Sequence, residues 1–206
     1  MTPRAYRSAA REDAAEKNRL RIVAAAGKLL RAKGASGFSL DAVAKKARVT
    51  RLTVYNQFGS RRRLLEAVFD DHAARGGLTR LPEAASAPDP QDGLRQLAEI
   101  FCDFWSRDHQ AMAGLQAMSG TDAEFATAIS ARNERRRGLI GMLLRRMVER
   151  GEIASESAAE LRDLLFAITS LAFFAELARS GGAEKAASQV KSLVAGVIAQ
   201  VTSRSG

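Results

Sequence analysis

The sequence predicts an all-α fold. Apolar residues recur at helical spacing, Ala and Leu are abundant, and strand-type alternation is absent. Of the four prolines, Pro82, Pro88 and Pro90 fall in one aperiodic segment. The 206 residues are 46% hydrophobic and 27% charged, which is typical of a soluble globular protein of one or two domains.

The positive charge is concentrated in the first part of the chain. Residues 1–80 carry 18 Lys and Arg against 7 Asp and Glu, whereas residues 81–206 carry 14 against 16. This asymmetry favours a polyanion-binding part joined to a part with another task, and a generally basic, solvated surface is the alternative. We predict an arm over residues 1–12, a helical unit over 13–75, a linker over 76–91 and a second helical unit over 92–206.

Three predicted N-caps follow one another in the basic unit. A first helix from about Asp13 to Lys33 ends at Gly34, which relieves the steric cost of a left-handed cap. Ser39, Thr50 and Ser60 then each precede a helical segment, and the first two of these segments are short. Two short capped helices separated by about three residues indicate a helix-turn-helix, whose second helix enters the major groove of DNA.

The polar residues of the second short helix suit base recognition. Arg51 can bond guanine, Asn56 and Gln57 can bond adenine, and Thr53 can contact a thymine methyl group. A solvated helical hairpin with ordinary polar residues is the alternative. The chemistry of the side chains favours contact with duplex DNA.

Arginines flank this predicted interface on both sides. Arg61, Arg62 and Arg63 occupy the first turn of a helix, where the macrodipole disfavours cations, so a bound phosphate, first of all at Arg61, would resolve the conflict. Their alternative is to extend into water. Arg4, Arg7 and Arg11 either reach a minor groove or belong to a disordered tail.

The stretch from about Ile22 to Phe69 resembles the DNA-binding domain of the TetR family of bacterial transcriptional regulators. The most specific match is Thr53-Val54-Tyr55-x-x-Phe58, followed by Ser60-Arg61 and Leu64-Leu65. The resemblance implies a homodimeric repressor whose larger domain binds a small molecule that releases DNA. It also implies that Tyr55 touches the DNA backbone. The predicted DNA-binding residues are Ser39, Arg48, Thr50, Arg51, Thr53, Tyr55, Asn56, Gln57 and Arg61.

One residue departs from the family pattern. The family often has Gly in the turn, where this chain has Arg48. A left-handed backbone would cost more for Arg than for Gly. We therefore expect either a slightly different turn or a contribution of Arg48 to phosphate binding.

The second half of the chain predicts further helices. They run from about Pro90 or Asp92 to Arg107, through Met112–Met118, from Ala123 to Glu149, from Ala158 to Ser180, and beyond Gly181–Gly182. We place a two-fold dimer interface on the last two helices. A dimer would hold its two helix-turn-helix units about 34 Å apart, and such a pair would recognise a palindromic operator. Small residues there allow close approach, namely Ala186, Ala187, Ala195, Gly196 and Ala199. The alternative is that these helices only close the chain's own core.

An effector pocket is predicted in the same half. Aromatic and Met side chains at helical spacing are commonly plain core, but the resemblance implies an effector site among them. The predicted lining is Phe101, Phe104, Trp105, His109, Met112, Met118, Phe125, Phe166 and Phe173. Candidate polar anchors are Cys102, Asp103, His109 and Gln116.

Other classes of protein have less support. There is no Gly-rich phosphate loop, GxSxG or HExxH motif, and a nucleophile built from Cys102 and His109 would lack an orienting third group. The one cysteine excludes an internal disulfide and a four-cysteine zinc site, and we expect no metal or cofactor. No apolar run has membrane-spanning length and no secretory leader is visible, so we expect a cytoplasmic protein. An effector-independent DNA-binding regulator or activator remains the main alternative.

Overall fold

The computed structural model describes residues 3–203, with side chains from residue 13 onward. Within this range the chain forms helices and no strand, which confirms the all-α prediction. The helices are α1 (Pro3–Lys33), α2 (Leu40–Ala47), α3 (Arg51–Phe58), α4 (Arg61–Arg75), α5 (Leu81–Ala85), α6 (Pro90–Met118), α7 (Ala123–Glu149), α8 (Ala158–Ile168) and α9 (Leu171–Thr202). Short 3₁₀ turns lie at Leu78–Arg80 and Ser155–Ser157. None of the helices in the described range is long and apolar enough to cross a membrane.

The chain divides into two compact units that are not continuous in sequence. The first unit contains Met1–Asp71 and Gln110–Ala126, and the second contains His72–His109 and Thr127–Gly206. The division within α6 falls beside Asp108, whose φ of −165° and ψ of 63° are not helical. The functional boundaries that we predict from charge and composition stay a prediction, because this division follows packing alone.

Two segments are more regular than the sequence suggests. The helix α1 begins at Pro3, so the backbone of the predicted arm is helical from that residue. The predictions for Arg4, Arg7 and Arg11 lie outside the residues whose side chains are described. The predicted linker contains α5. Arg146 of α7 and Arg150, which follows the end of that helix, donate hydrogen bonds to the Ala85, Ala87 and Pro88 carbonyl oxygens.

The core of the first unit follows from the apolar faces of its helices. The side chains of Ile22 and Leu30 on α1 are fully buried, as are Leu64 and Leu65 on α4. The short helices α2 and α3 pack against α1 and against each other. Since a short helix is held mainly by its buried face, these contacts fix where α2 and α3 lie.

The C-terminal part of α6 belongs to the core of the first unit. At Gly114 the helix approaches α1 so closely that an added Cβ would lie 2.9 Å from the Leu30 carbonyl oxygen. Leu115 and Met118 on the same stretch are fully buried. Only a residue without a Cβ permits this approach, so the contact depends on glycine.

The helices of the second unit break at one place that was not predicted and at one that was. The predicted helix over 158–180 is wrong, because α8 ends at Ile168 and Ser170 caps a new helix by accepting a hydrogen bond from the Phe173 N–H. The predicted break at Gly181–Gly182 is confirmed as a kink that divides α9, where Gly182 has a non-helical φ of 77° and ψ of 171°. Both the predicted range of α7 and its stop at Gly151 are confirmed.

We predict opposite effects for two Gly→Ala substitutions. Gly114→Ala should lower the free energy of unfolding by about 1–3 kcal/mol, because the new methyl group meets the α1 backbone. Gly138→Ala in α7, where nothing lies within 4 Å of the added Cβ, should raise it by about 0.5–1 kcal/mol through helix propensity. Urea unfolding of both variants measures the two values. A Gly114→Ala variant as stable as the parent would contradict the close packing of α6 on α1.

Candidate nucleic-acid interface

The two short helices α2 and α3 are positioned by capping and by burial. Ser39 Oγ accepts a hydrogen bond from the Ala42 N–H at 3.1 Å, and Thr50 Oγ1 accepts one from the Thr53 N–H at 3.1 Å. On α3 only Val54 and Phe58 are buried, so the remaining six of its eight residues are fully or partly exposed. The caps fix where each helix begins, and the two buried side chains fix which face of α3 points outward.

The outward face of α3 carries the side chains that we predict to meet DNA. Arg51, Tyr55 and Asn56 are exposed, with Tyr55 at 58%, and Thr53 and Gln57 are half-buried. Ser39 and Thr50 use their side-chain oxygens as cap acceptors. Leu52 is a further exposed residue of α3 that the sequence prediction does not include, and it is 65% exposed one helical turn before Tyr55. Its position outside the i, i+4 pair Val54 and Phe58 could have indicated from the sequence that this leucine is exposed.

The turn between α2 and α3 is made by Arg48. Its φ of 54° and ψ of 46° are left-handed, and it is the only non-glycine residue with positive φ among the described residues. Its N–H donates to the Lys45 carbonyl oxygen at 3.2 Å, and the Val49 N–H donates to the Ala44 carbonyl oxygen at 3.0 Å. The turn therefore has the ordinary left-handed geometry with a strained residue in it, and the Arg48 side chain is left exposed.

Arg51 is joined to the preceding helix by an ion pair. Its Nη1 donates to Asp41 Oδ2 at 3.1 Å, and both side chains are 67% exposed. Ion pairs this exposed contribute at most about 1 kcal/mol, so the guanidinium can exchange Asp41 for a base at little cost. Sequence spacing does not predict Asp41 as the partner of Arg51, because the pair joins two helices rather than successive turns of one.

The three arginines at the start of α4 have different surroundings. Arg61 is half-buried, with Nη2 3.7 Å from Met118 Sδ and the guanidinium 5.7 Å from the centroid of the Phe38 ring. Arg62 forms an ion pair with Glu124 at 3.4 Å. Arg63 is exposed and lines an open groove of about 480 Å³ beside the end of α3, together with Arg19, Asn56, Gln57, Phe58, Gly59, Glu66, Ala67 and Asp70. Arg63 is therefore the freest of the three to reach an external phosphate.

The residues predicted to line an effector pocket are divided between the two units. Met112, Met118 and Phe125 are buried in the first unit. The second unit holds Phe101, Phe104, Trp105, His109, Phe166 and Phe173, of which the first three are buried. Within that unit Phe104 and Trp105 are in ring contact at 4.4 Å. The His109 ring lies 6.1 Å from that of Phe174, which the sequence analysis did not include.

The candidate polar anchors also differ in their surroundings. Cys102 Sγ lies 3.7 Å from the Ala187 carbonyl oxygen, and burial raises the pKa of the thiol to about 11. A thiol of this pKa carries almost no thiolate at neutral pH, which makes it a poor nucleophile. Asp103 is exposed and accepts a hydrogen bond from Arg80 at 2.5 Å, and Gln116 is exposed in the first unit.

The geometry of α2, the Arg48 turn and α3 defines a helix-turn-helix, the class of unit that binds duplex DNA. Residues 22–68 match the family model described as bacterial regulatory proteins, tetR family. Uncharacterized HTH-type transcriptional regulators of Mycobacterium tuberculosis and Mycobacterium bovis are 29% identical to this chain over 146 residues, which cover 70% of this chain and 70% of each relative.

Two solved structures share the fold. The TetR family transcriptional regulator PfmR from Thermus thermophilus has a TM-score of 0.66 and 19% identity, and the match covers 84% of this chain and 91% of that one. A transcriptional regulator from Rhodococcus sp. Rha1 has a TM-score of 0.67 and 20% identity, and the match covers 88% of this chain and 96% of that one. Residues 22–68 therefore form a DNA-binding domain of the tetR-family type, and the similarity to HTH-type transcriptional regulators over 70% of the chain identifies it as a DNA-binding transcriptional regulator.

We predict that the backbone strain at Arg48 can be separated from its charge. Arg48→Gly and Arg48→Ala both remove the guanidinium, but only glycine also relieves the left-handed strain. Arg48→Gly should be about 1 kcal/mol more stable than Arg48→Ala in thermal or urea unfolding. Equal stabilities would show that the turn rearranges when the side chain is lost.

Proposed function

We propose that this regulator is a homodimeric repressor that a small apolar or amphipathic ligand releases from a palindromic operator. The single observation that carries the DNA-binding part is the outward face of α3, where Arg51, Tyr55 and Asn56 are exposed while Val54 and Phe58 anchor the helix. The proposed contacts to DNA are the nine residues predicted from the sequence, with Arg63 added because of its exposure. The cytoplasmic location expected from the sequence is part of the same proposal.

An apolar face on α9 supports the homodimer. Ala186, Val190, Val194 and Ile198 point into the second unit and are buried, whereas Leu193 is 44% exposed. The outer face of the helix forms an open groove of about 580 Å³, lined by Leu177, Ser188, Gln189, Ser192, Leu193, Gly196, Val197 and Gln200. Small and apolar residues exposed along one helix face suit close packing against the same face of a second copy.

An interior gap in the second unit is the candidate ligand site. It lies between packed side chains, leaves no room for a water molecule, and is lined by Phe101, Cys102, Trp105, Ile168, Thr169, Phe174 and Val190. Ligand pockets are usually about 300–1,000 Å³, so an effector would have to open this gap by moving its walls apart. This lack of space is the observation that favours the alternative, an effector-independent regulator or activator.

The DNA-binding proposal is tested by selecting duplexes from a randomised pool with the full chain and measuring their affinities. We expect an inverted repeat with half-sites about one helical turn apart. Arg51→Ala should weaken binding by about 1–3 kcal/mol and relax the preference at one base pair in each half-site. Salt-insensitive binding, or an unchanged preference in Arg51→Ala, would contradict the proposal.

Matched variants control this experiment. Arg95→Ala removes another surface arginine, which is paired with Asp92 in the second unit, and should leave affinity and preference as in the parent. Arg63→Ala should weaken all sequences alike and reduce the slope of log affinity against log salt by about 1. Arg61→Ala should reduce that slope less, since its guanidinium already packs on Phe38 and Met118.

The dimer is tested by placing a charge on the outer face of α9. Leu193→Glu should convert the dimer to a monomer in sedimentation experiments, because a carboxylate buried in an apolar interface is strongly disfavoured. Leu20→Glu on α1, at a leucine that is 55% exposed, should leave the dimer intact. A monomeric parent, or a Leu193→Glu variant that still dimerises, would overturn the assignment of this face.

A further inference from the structure

The second unit contains a buried arginine at the middle of α7. Arg136 is only 5% exposed. Its Nη1 donates to the Thr169 carbonyl oxygen at 2.5 Å and lies 3.2 Å from Thr169 Oγ1. The guanidinium also stacks on the Phe166 ring, 4.1 Å from its centroid, and lies 5.2 Å from that of Phe101.

No carboxylate of the described residues pairs with this guanidinium. The neighbouring charge is that of Arg137, which has the same sign, and burial together with that neighbour lowers the pKa of Arg136 to about 10. The group is therefore still protonated at neutral pH. Buried charges in proteins are normally paired, because removing an ion from water is costly. Ring faces and a helix C-terminal carbonyl offset part of this cost but supply no negative charge.

The neighbouring Arg137 differs from Arg136 because it is paired with carboxylates. It stacks on the same Phe166 ring at 4.0 Å, but it is exposed enough to form ion pairs with Asp163 at 2.5 Å and with Glu134 at 3.5 Å. The hydrogen bonds from Arg162 and Arg137 hold the pKa of Asp163 below its ordinary value. The carboxylates of this region are therefore used by the surface arginines.

The buried guanidinium lies beside the interior gap. Phe101 and Thr169 contact Arg136 and also line the gap, whose other walls are apolar or aromatic. The Trp105 indole Nε1–H donates to the same Thr169 carbonyl oxygen at 3.1 Å. That oxygen thus accepts two donors, and a neutral donor alone would satisfy it, so the α8 terminus does not itself require a cation.

We infer that Arg136 is the anchor for an organic carboxylate with an apolar body, which occupies an enlarged form of this gap. The carboxylate would take the guanidinium as its partner, and the body would lie against Phe101, Trp105 and Phe174. The inference rests on the proposed ligand-responsive function and names the chemical class of that ligand. Because Thr169 joins the end of α8 to the start of α9, drawing Arg136 away from it would also alter this junction.

The test compares acids with their neutral amides on the full chain. Probes are 3-phenylpropionate and octanoate with 3-phenylpropanamide and octanamide, and the readouts are the melting temperature and the fluorescence of Trp105, the only tryptophan. At least one acid should change the fluorescence saturably and raise the melting temperature, and its amide should bind about tenfold or more weakly. Equal affinities for acid and amide, or no saturable response to either acid, would overturn the inference.

Two variants locate the contact. Arg136→Met should weaken binding of the acid about tenfold or more, whereas Arg137→Met, which removes the neighbouring arginine from the same Phe166 ring, should bind it as the parent does. Unchanged acid binding in Arg136→Met would refute the assignment. If that variant fails to fold, the acid–amide comparison on the parent decides alone.

DNA binding measured on the same preparation separates this inference from the proposed function. A chain that binds its duplex with salt-sensitive affinity but shows no preference for acids refutes the carboxylate site and leaves DNA binding standing. A chain that prefers acids but binds no duplex supports the site and refutes the proposed DNA-binding function.

Discussion

The burial of Val54 and Phe58 determines which face of α3, the helix proposed to contact DNA bases, is exposed. No other side chain of α3 is buried, so these two hold an eight-residue helix that could not be stable alone. Because residues four apart lie on one face of a helix, these two side chains form a single inward face, and Arg51, Tyr55 and Asn56 are left exposed. The caps at Ser39 and Thr50 then set the ends of α2 and α3, and the left-handed Arg48 sets the angle of the turn.

The two units differ in whether their key arginine is exposed to water or buried. In the helix-turn-helix, Arg51 and Asp41 are both largely exposed, so water screens the pair and either partner can be exchanged cheaply. In the second unit Arg136 is removed from water, and its charge is met by aromatic rings and one carbonyl group. Exposure therefore keeps Arg51 available for a polyanion, whereas burial restricts Arg136 to partners that can enter the second unit.

Local signals explain why much of the fold could be predicted. The caps at Ser39, Thr50 and Ser60 and the limits of α7 depend on residues close in sequence, and all of these predictions are confirmed. The break at Thr169 was missed because an apolar pattern continues across it and the carbonyl is satisfied by Trp105 and Arg136, which are distant in sequence. The inward packing of Arg61 on Met118 was equally invisible, since it depends on which helices meet.

The first unit takes part of its core from residues far along the chain. Leu115, Met118 and Phe125 are fully buried there, although they follow α3 by more than fifty residues, as their numbers show. A fragment cut after Arg75 would lose those side chains and expose the apolar surface that they cover. A chimera made by exchanging the N-terminal helix-turn-helix region between relatives at a single junction would therefore combine two mismatched parts of one core. A stable chimera would need residues 110–126 exchanged together with that region.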